Sequence, residues 1–283
     1  MRPAVDSSTP NPPRTILTYQ HDSTLTTHQT TLTSITPFPA LSPANQLLFK
    51  QGTPTDYILT TTSTIFHPQG GGQPSDTGTM TFPSGTTFTV TSARMDAETN
   101  TRVLHLGTFP ADSSSIAPTN GDPITQAIDP DQRLLFSRLH TAGHVLGSAV
   151  RHLVGTQIAN FDELKASHFP DSASCEFQGL IGGEWKEGIQ GKVDELVAAD
   201  LPVRVEWWDE GDFRDRGLAR LIPGSGVGGG LAPGEKWRVV NIVGAEVYPC
   251  GGTHVESTSG CGRVGVKKVS RAKGRSKVSY GVE

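Results

Sequence analysis

Near residue 127 the sequence changes its hydrophobic period, and that change limits what the chain can fold into. Residues 15 to about 125 are rich in Thr, Ser and Pro and carry short alternating runs, "TILTY", "DYILTTTSTIF", "TTFTVTSA" and "RVLHLG", separated by turn clusters. Alternation with period two over β-branched and aromatic residues suits half-buried strands and predicts a β-rich module, a small barrel. Then comes "IDPDQRLLFSRLHTAGHVLGSAVRHLV". Asp129 can cap a helix there, Pro130 suits its first position and Asp131 complements its positive end. Leu135, Leu139, Leu146, Val150 and Leu153 recur at helical spacing. A second helix is expected within "IQGKVDELVAAD" and a strand in "LPVRVEWWD". Another strand in "KWRVVNIVGAEVY" runs straight into a turn at Cys250. The expected fold class is α+β. A leader over 1–14 precedes an N-terminal small β-barrel over 15–127, and an α+β domain over 128–283 follows. "IPGSGVGGGLAPGEK" reads as a mobile loop, without the Gly-Lys-Ser/Thr ending of a phosphate-binding loop.

A hydrophobic fraction of 35% is enough for a packed core. The three cysteines, Cys175, Cys250 and Cys261, are an odd number without a disulfide framework, which fits a reducing compartment. No apolar run reaches membrane-spanning length, and "MRPAVDSSTPNPPR" has no apolar signal core, so a cytoplasmic protein without a membrane partner is expected.

The net charge of −4 hides an uneven distribution. Arg263, Lys267, Lys268, Arg271, Lys273, Arg275 and Lys277 follow one another with no acid between them; without that +7 segment the remainder stands at −11. Valines alternate with these cations, which predicts a strand pair with one basic face, the footprint of a polyanion such as RNA.

"YPCGGTHVES" sets Cys250 and His254 in a glycine turn, and "LHTAGHVLG" sets His140 and His144 one helical turn apart. Three imidazoles and one thiolate form a set typical of zinc. Thr141 and Ala142 stand where a His-Glu-x-x-His metalloprotease would carry its glutamate and the next residue. A four-ligand shell is that of a structural site, whereas a catalytic site keeps three protein ligands and an open position. Both readings stay open, with His254 the ligand able to act at longer range. His21, His28, His67, His105, His152 and His168 lack such partners and read as ordinary. In "TIFHPQGGGQPSDTG", Gly70, Gly71 and Gly72 leave bare backbone for a ligand or another chain segment, next to the amide of Gln73.

"FHPQGGGQPSDTG", "LHTAGHVLG" and "CGGTHVES", in this order, resemble the editing domain of alanyl-tRNA synthetase and its freestanding AlaX trans-editing relatives of the larger type. The resemblance covers roughly residues 17–283, with "AKGRSKVSYGV" similar to the family's final strand pair. It implies a hydrolase that cleaves serine, and possibly glycine, from mischarged alanine tRNA at the 3′ ester, with no ligase activity. His140, His144, Cys250 and His254 match the zinc ligands, for one Zn2+ per chain. Gln73 and His254 become the catalytic candidates, and Gly70, Gly71, Gly72, Gln73 and Thr253 the substrate-binding ones. Asp76 matches an aspartate of the motif, although capping the turn before Gly78 is its simpler role. The implied partner is the acceptor end of alanine tRNA, met by a monomer. Lys267, Lys268, Arg271, Lys273, Arg275 and Lys277 would contact phosphates.

The chemistry is coherent. A synthetase pocket sized for alanine cannot strongly reject serine or glycine, so a second hydrolytic sieve is needed. Two alternatives share the features: a zinc-stabilised tRNA-binding module without chemistry, and a deacylase of another tRNA such as threonine tRNA.

Overall fold

The computed structural model describes residues 14–111, 118–224 and 234–283. Residues 1–13 of the expected leader and most of the glycine-rich loop at 222–236 lie outside the described residues.

The first half closes on itself. Strands β2 (Thr27–Pro37), β3 (Tyr57–Thr61), β5 (Gly78–Thr81), β6 (Thr87–Met95), β7 (Val103–Thr108) and β8 (Pro123–Ile128) form a barrel in the order β2-β3-β7-β6-β5-β8. Every pair is antiparallel, and closure comes from β2, which pairs with β8 through Thr27–Thr31 and with β3 through Leu32–Pro37. Register shifts at Leu32/Ser34 and Val90/Ser92 add the bend that closing a short sheet requires. Inward residues Leu32, Leu59, Phe66, Met80, Phe88 and Val90 fill the interior, all essentially inaccessible. The short β1 (Ile16–Leu17) runs parallel to β4 (Ser63–Thr64) at the barrel's side.

The short helix α1 (Pro43–Gln46) lies between β2 and β3, and one residue separates β8 from helix α2 (Pro130–Val154). Asp129 caps it as expected: its Oδ1 accepts from the Gln132 amide at 3.0 Å, and Pro130 occupies the first turn. Helix α3 (Lys186–Ala198) packs beside it. Both lie on a four-stranded antiparallel sheet in the order β14-β15-β10-β9, formed by β9 (Asp162–Ser167), β10 (Ser174–Gln178), β14 (Val264–Ala272) and β15 (Arg275–Val282). The core between them includes Leu139, Leu146, Val150, Phe177, Val193, Val278 and Tyr280.

A third sheet, β11 (Val203–Trp208), β12 (Trp237–Ile242) and β13 (Glu246–Pro249), carries the Cys250 turn at its end. Here the single strand expected in "KWRVVNIVGAEVY" is instead a hairpin. Gly244 takes φ +87° and the Ala245 amide bonds the Ile242 carbonyl, a reversal that a continuous apolar pattern conceals. No helix among the described residues is long and apolar enough to cross a membrane.

The barrel and α2 are joined by a buried ion pair. Asp76, 1% exposed, accepts from Arg133 of α2 and from the His67 amide, while Arg133 also donates to the carbonyls of Ser23 and Ile65. Asp76 therefore ties the glycine-motif loop to the helix. Its expected role, capping the turn before Gly78, is corrected by this contact.

Candidate metal centre

His140 and His144 project from one face of α2 towards the Cys250 turn, and the predicted convergence occurs. One potential ligand atom from each of His140, His144, Cys250 and His254 lies within 4.8 Å of all the others. The Cys250 Sγ stands 3.4 Å from His140 Nε2 and 3.3 Å from His254 Nε2. Such spacings suit bonds of about 2.0–2.3 Å meeting at one zinc ion.

Two of the imidazoles are oriented by neighbours. Gln73 Oε1 accepts from the Thr253 amide at 3.0 Å, which fixes the oxygen end of that side chain. The same oxygen is 2.7 Å from His140 Nδ1, so His140 carries its proton there and leaves Nε2 bare. Thr141 repeats the arrangement for His254. Its hydroxyl donates to the Ser137 carbonyl at 2.9 Å and therefore accepts from His254 Nδ1 at 3.2 Å. The residue in the glutamate position of a metalloprotease helix is here a support for a ligand.

His144 supplies the test of fit. Its Nε2 is buried and has no hydrogen-bond partner among the described residues. An orphaned buried nitrogen is costly unless something else binds it. Burial holds the histidines neutral, the form a metal needs. His144 is pushed down to about 3, first by desolvation and then by His168, and His140 and His254 lie well below the usual range for the same leading reason. Desolvation also raises the Cys250 thiol, partly opposed by Arg238. The donor set, the bare nitrogens and the orphan all fit a thiophilic divalent ion such as zinc.

The glycines have distinct tasks. Gly71 and Gly72 take φ +55° and +82° in a tight turn closed by paired bonds between Gly70 and Gln73. A Cβ on Gly72 would lie 2.4 Å from the Ala166 carbonyl oxygen, so here the bare backbone admits another chain segment. At Gly252 a Cβ would come within 2.2 Å of the His140 ring, and only glycine lets this turn pass over the ligand.

The expected site residues separate into two groups. Gln73 and Thr253 are 0% exposed and stand behind the histidines, joined by a 2.8 Å bond from Gln73 Nε2 to Thr253 Oγ1. Gly70 and Gly71 line a cleft of about 720 Å³ that reaches Cys250, Gly251 and Gly252. Burial thus places Gln73 in support of the cluster and away from the cleft wall.

His168, expected to be ordinary, belongs to this region. It stacks on His140 with ring centroids 4.1 Å apart, and its Nδ1 is 2.7 Å from the Tyr280 hydroxyl, which donates to the Leu139 carbonyl. Nothing local in "KASHFPDS" signals this, because the contact joins a strand end to a helix by tertiary packing. Tyr248 and Arg238 were missed for the same reason. The Tyr248 ring packs edge-on to His144, and Arg238 donates to the Cys250 carbonyl at 2.6 Å.

The basic stretch folds as predicted, into the hairpin β14–β15 with a turn at Lys273 and Gly274. Val266, Val278 and Tyr280 face the core, while Lys267, Lys268, Arg271, Lys273, Arg275 and Lys277 are exposed. A register shift between Val266 and Lys268 leaves both consecutive lysines outside. None of the six forms an ion pair among the described residues, whereas Arg263 meets Glu283 at 3.4 Å.

Residues 237–277, from β12 into the basic hairpin, match the family described as the Threonyl and Alanyl tRNA synthetase second additional domain. The alanine–tRNA ligase of Methanosphaera stadtmanae is 33% identical over 220 residues, covering 78% of this chain and 23% of the ligase. That of Methanothermobacter thermautotrophicus is 32% identical over 208 residues, 74% of this chain and 22% of the ligase. The alanyl-tRNA editing protein AlaX-L of Pyrococcus horikoshii is 30% identical over 220 residues, covering 78% of this chain and 49% of that protein. The chain thus spans between about a fifth and a half of the length of these relatives.

Proposed function

The chain belongs to the editing-domain family shared by alanyl-tRNA synthetases and AlaX proteins, and from that premise we propose that it is an aminoacyl-tRNA deacylase. Its substrate in this reading is alanine tRNA carrying serine or glycine at the 3′ end. The observation that carries the proposal is the His140–His144–Cys250–His254 cluster, with the orphaned His144 nitrogen, reached by a cleft large enough for a terminal nucleoside and a small amino acid.

These four residues would hold one Zn2+. Bound there, zinc supplies Lewis acidity towards an ester carbonyl or a binding point for the amino acid's polar groups. The protein's own residues set the geometry. Gln73 and Thr141 keep the protons of His140 and His254 on Nδ1, which directs both Nε2 lone pairs at the Cys250 sulfur. Gln73 thereby acts as a positioning residue, and His254 as a ligand instead of a free general base. Desolvation, the leading cause, lowers its basicity. Gly70 and Gly71 offer smooth backbone along the cleft, and the exposed cations of β14–β15 meet tRNA phosphates, which orient the molecule without reading its sequence.

Release of labelled serine from preformed Ser-tRNA(Ala) tests the reading, with Ala-tRNA(Ala) and Ser-tRNA(Ser) alongside. The expected outcome is rapid loss of the first alone, and Cys250→Ala should lose bound zinc and hydrolysis together. Full hydrolysis by a metal-free Cys250→Ala protein would overturn the metal-centred account. A protein that binds zinc and tRNA and cleaves nothing would be a binding module. Cleavage of a mischarged threonine tRNA in preference would move the substrate to that family branch.

A further inference from the structure

Neighbouring tryptophans on β11 have opposite surroundings. Trp208 is 3% exposed and packs on Phe213 at 5.2 Å between ring centroids. Trp207 points the other way and remains 37% exposed on the wall of the cleft. Its indole stacks on the exposed ring of His21, with centroids 5.1 Å apart and planes inclined by 20°. Tyr19 and His67, other rings of that wall, are both 3% exposed.

The sheet fixes how far this stack lies from the metal ligands. Trp207 pairs with Arg238 across β11 and β12, and the Cys250 amide donates to the Arg238 carbonyl from the next strand. Two strand spacings, about 10 Å, therefore separate the backbones of Trp207 and Cys250. The terminal ribose of a tRNA carries both the ester and its own base. With the ester beside Cys250, the base must lie within one nucleoside's reach along the cleft.

Of the three Lys and Arg side chains described in the wall, Arg238 is buried and donates to the carbonyls of Gln20 and Cys250, and the other two are matched by carboxylates. Arg14 pairs with Glu235, and Lys236 with Asp209 and Asp212. The wall thus presents rings more than free charge, which suits a base better than a phosphate. Unpaired bases stack on aromatic side chains whatever their identity.

We infer that Trp207, backed by His21, is the platform on which the last base of the tRNA 3′ end stacks while its ester is placed at the metal centre. This assignment rests on the deacylase reading. Trp207 is a positioning residue: it touches the part of the substrate that does not react.

The test combines kinetics with binding. Trp207→Ala should raise the KM for Ser-tRNA(Ala) by about ten- to a hundred-fold while kcat is retained. Trp207→Phe, which keeps a ring, should recover most of the loss. Zinc content should be unchanged in both. The second arm uses 3′-deoxy-3′-serylamino-adenosine, a stable analogue carrying the base, beside serinamide, which lacks it. The analogue should quench tryptophan emission in the wild type. In Trp207→Phe it should still bind by calorimetry without that quenching, and serinamide should bind all variants alike. An unchanged KM in Trp207→Ala, or equal weakening towards analogue and serinamide, would overturn the platform. A wild type that releases no serine refutes the deacylase reading, and the analogue arm then decides the platform alone: base-dependent binding lost in Trp207→Ala supports it, and binding that ignores the substitution refutes it.

Discussion

Gln73 has three buried contacts and no exposed surface, so its chemistry is that of a clamp. Its oxygen accepts from the His140 ring and the Thr253 amide, and its nitrogen donates to the Thr253 hydroxyl. Gln73→Ala would leave two buried donors without partners, at about 1–3 kcal/mol each. It would also free the His140 ring to turn, and loss of such a supporting contact costs about 10–100-fold in metal affinity. Competition with a chromogenic chelator measures this directly. Undiminished zinc affinity in a folded Gln73→Ala protein would show that the glutamine serves something other than the ligand. The motif glutamine was legible in the sequence, but its burial was not, because burial depends on how closely the barrel meets α2.

At the scale of elements, hairpin β14–β15 divides its work by alternation. Val266, Val278 and Tyr280 are buried, and the lysines and arginines between them face out. Because the side-chain period of a strand is two, alternation accounts for most of this division, and the register shift between Val266 and Lys268 keeps both consecutive lysines outside. The outward cations lack carboxylate partners among the described residues and are available to phosphates. Replacing Lys267 and Lys268 together by Ala should reduce the salt dependence of tRNA binding, lowering the slope of log K against log salt by about 1 to 2. Turnover of saturating substrate should stay as it was. An equal slope for wild type and double variant would remove this hairpin from the RNA footprint. Helix α2 was equally legible, through Asp129, Pro130 and its leucines. The β12–β13 hairpin was not, since its turn hides inside an apolar run and is marked only by Gly244.

For the whole molecule, burial of neutral histidines couples folding to pH. His67, on the cleft wall, and His105, inside the barrel half, are both buried, and desolvation lowers each to about 4. His105 bonds Thr64 Oγ1 at 2.9 Å and the Leu59 carbonyl at 3.0 Å. An unfolded chain takes up these protons near pH 6.5, whereas the folded chain resists until about 4. Stability is therefore fully present above pH 6.5 and falls as the pH drops towards 4, by about 3 kcal/mol for each group. Urea unfolding at pH 7, 5.5 and 4.5 should show the decline, and His105→Asn should make it shallower. A midpoint that holds steady across this range would mean that these histidines are hydrated in the folded state. By itself the sequence determined the periodic elements, the helix cap, the four ligand candidates and the basic strand pair, because each depends on spacing within one segment. Only the tertiary structure decided that Gln73 and Thr141 hold the ligands, that Asp76 ties barrel to helix, and that His168 and Trp207 border the site. Those roles join residues far apart in the chain, and such contacts arise from packing between elements, which local periodicity does not encode.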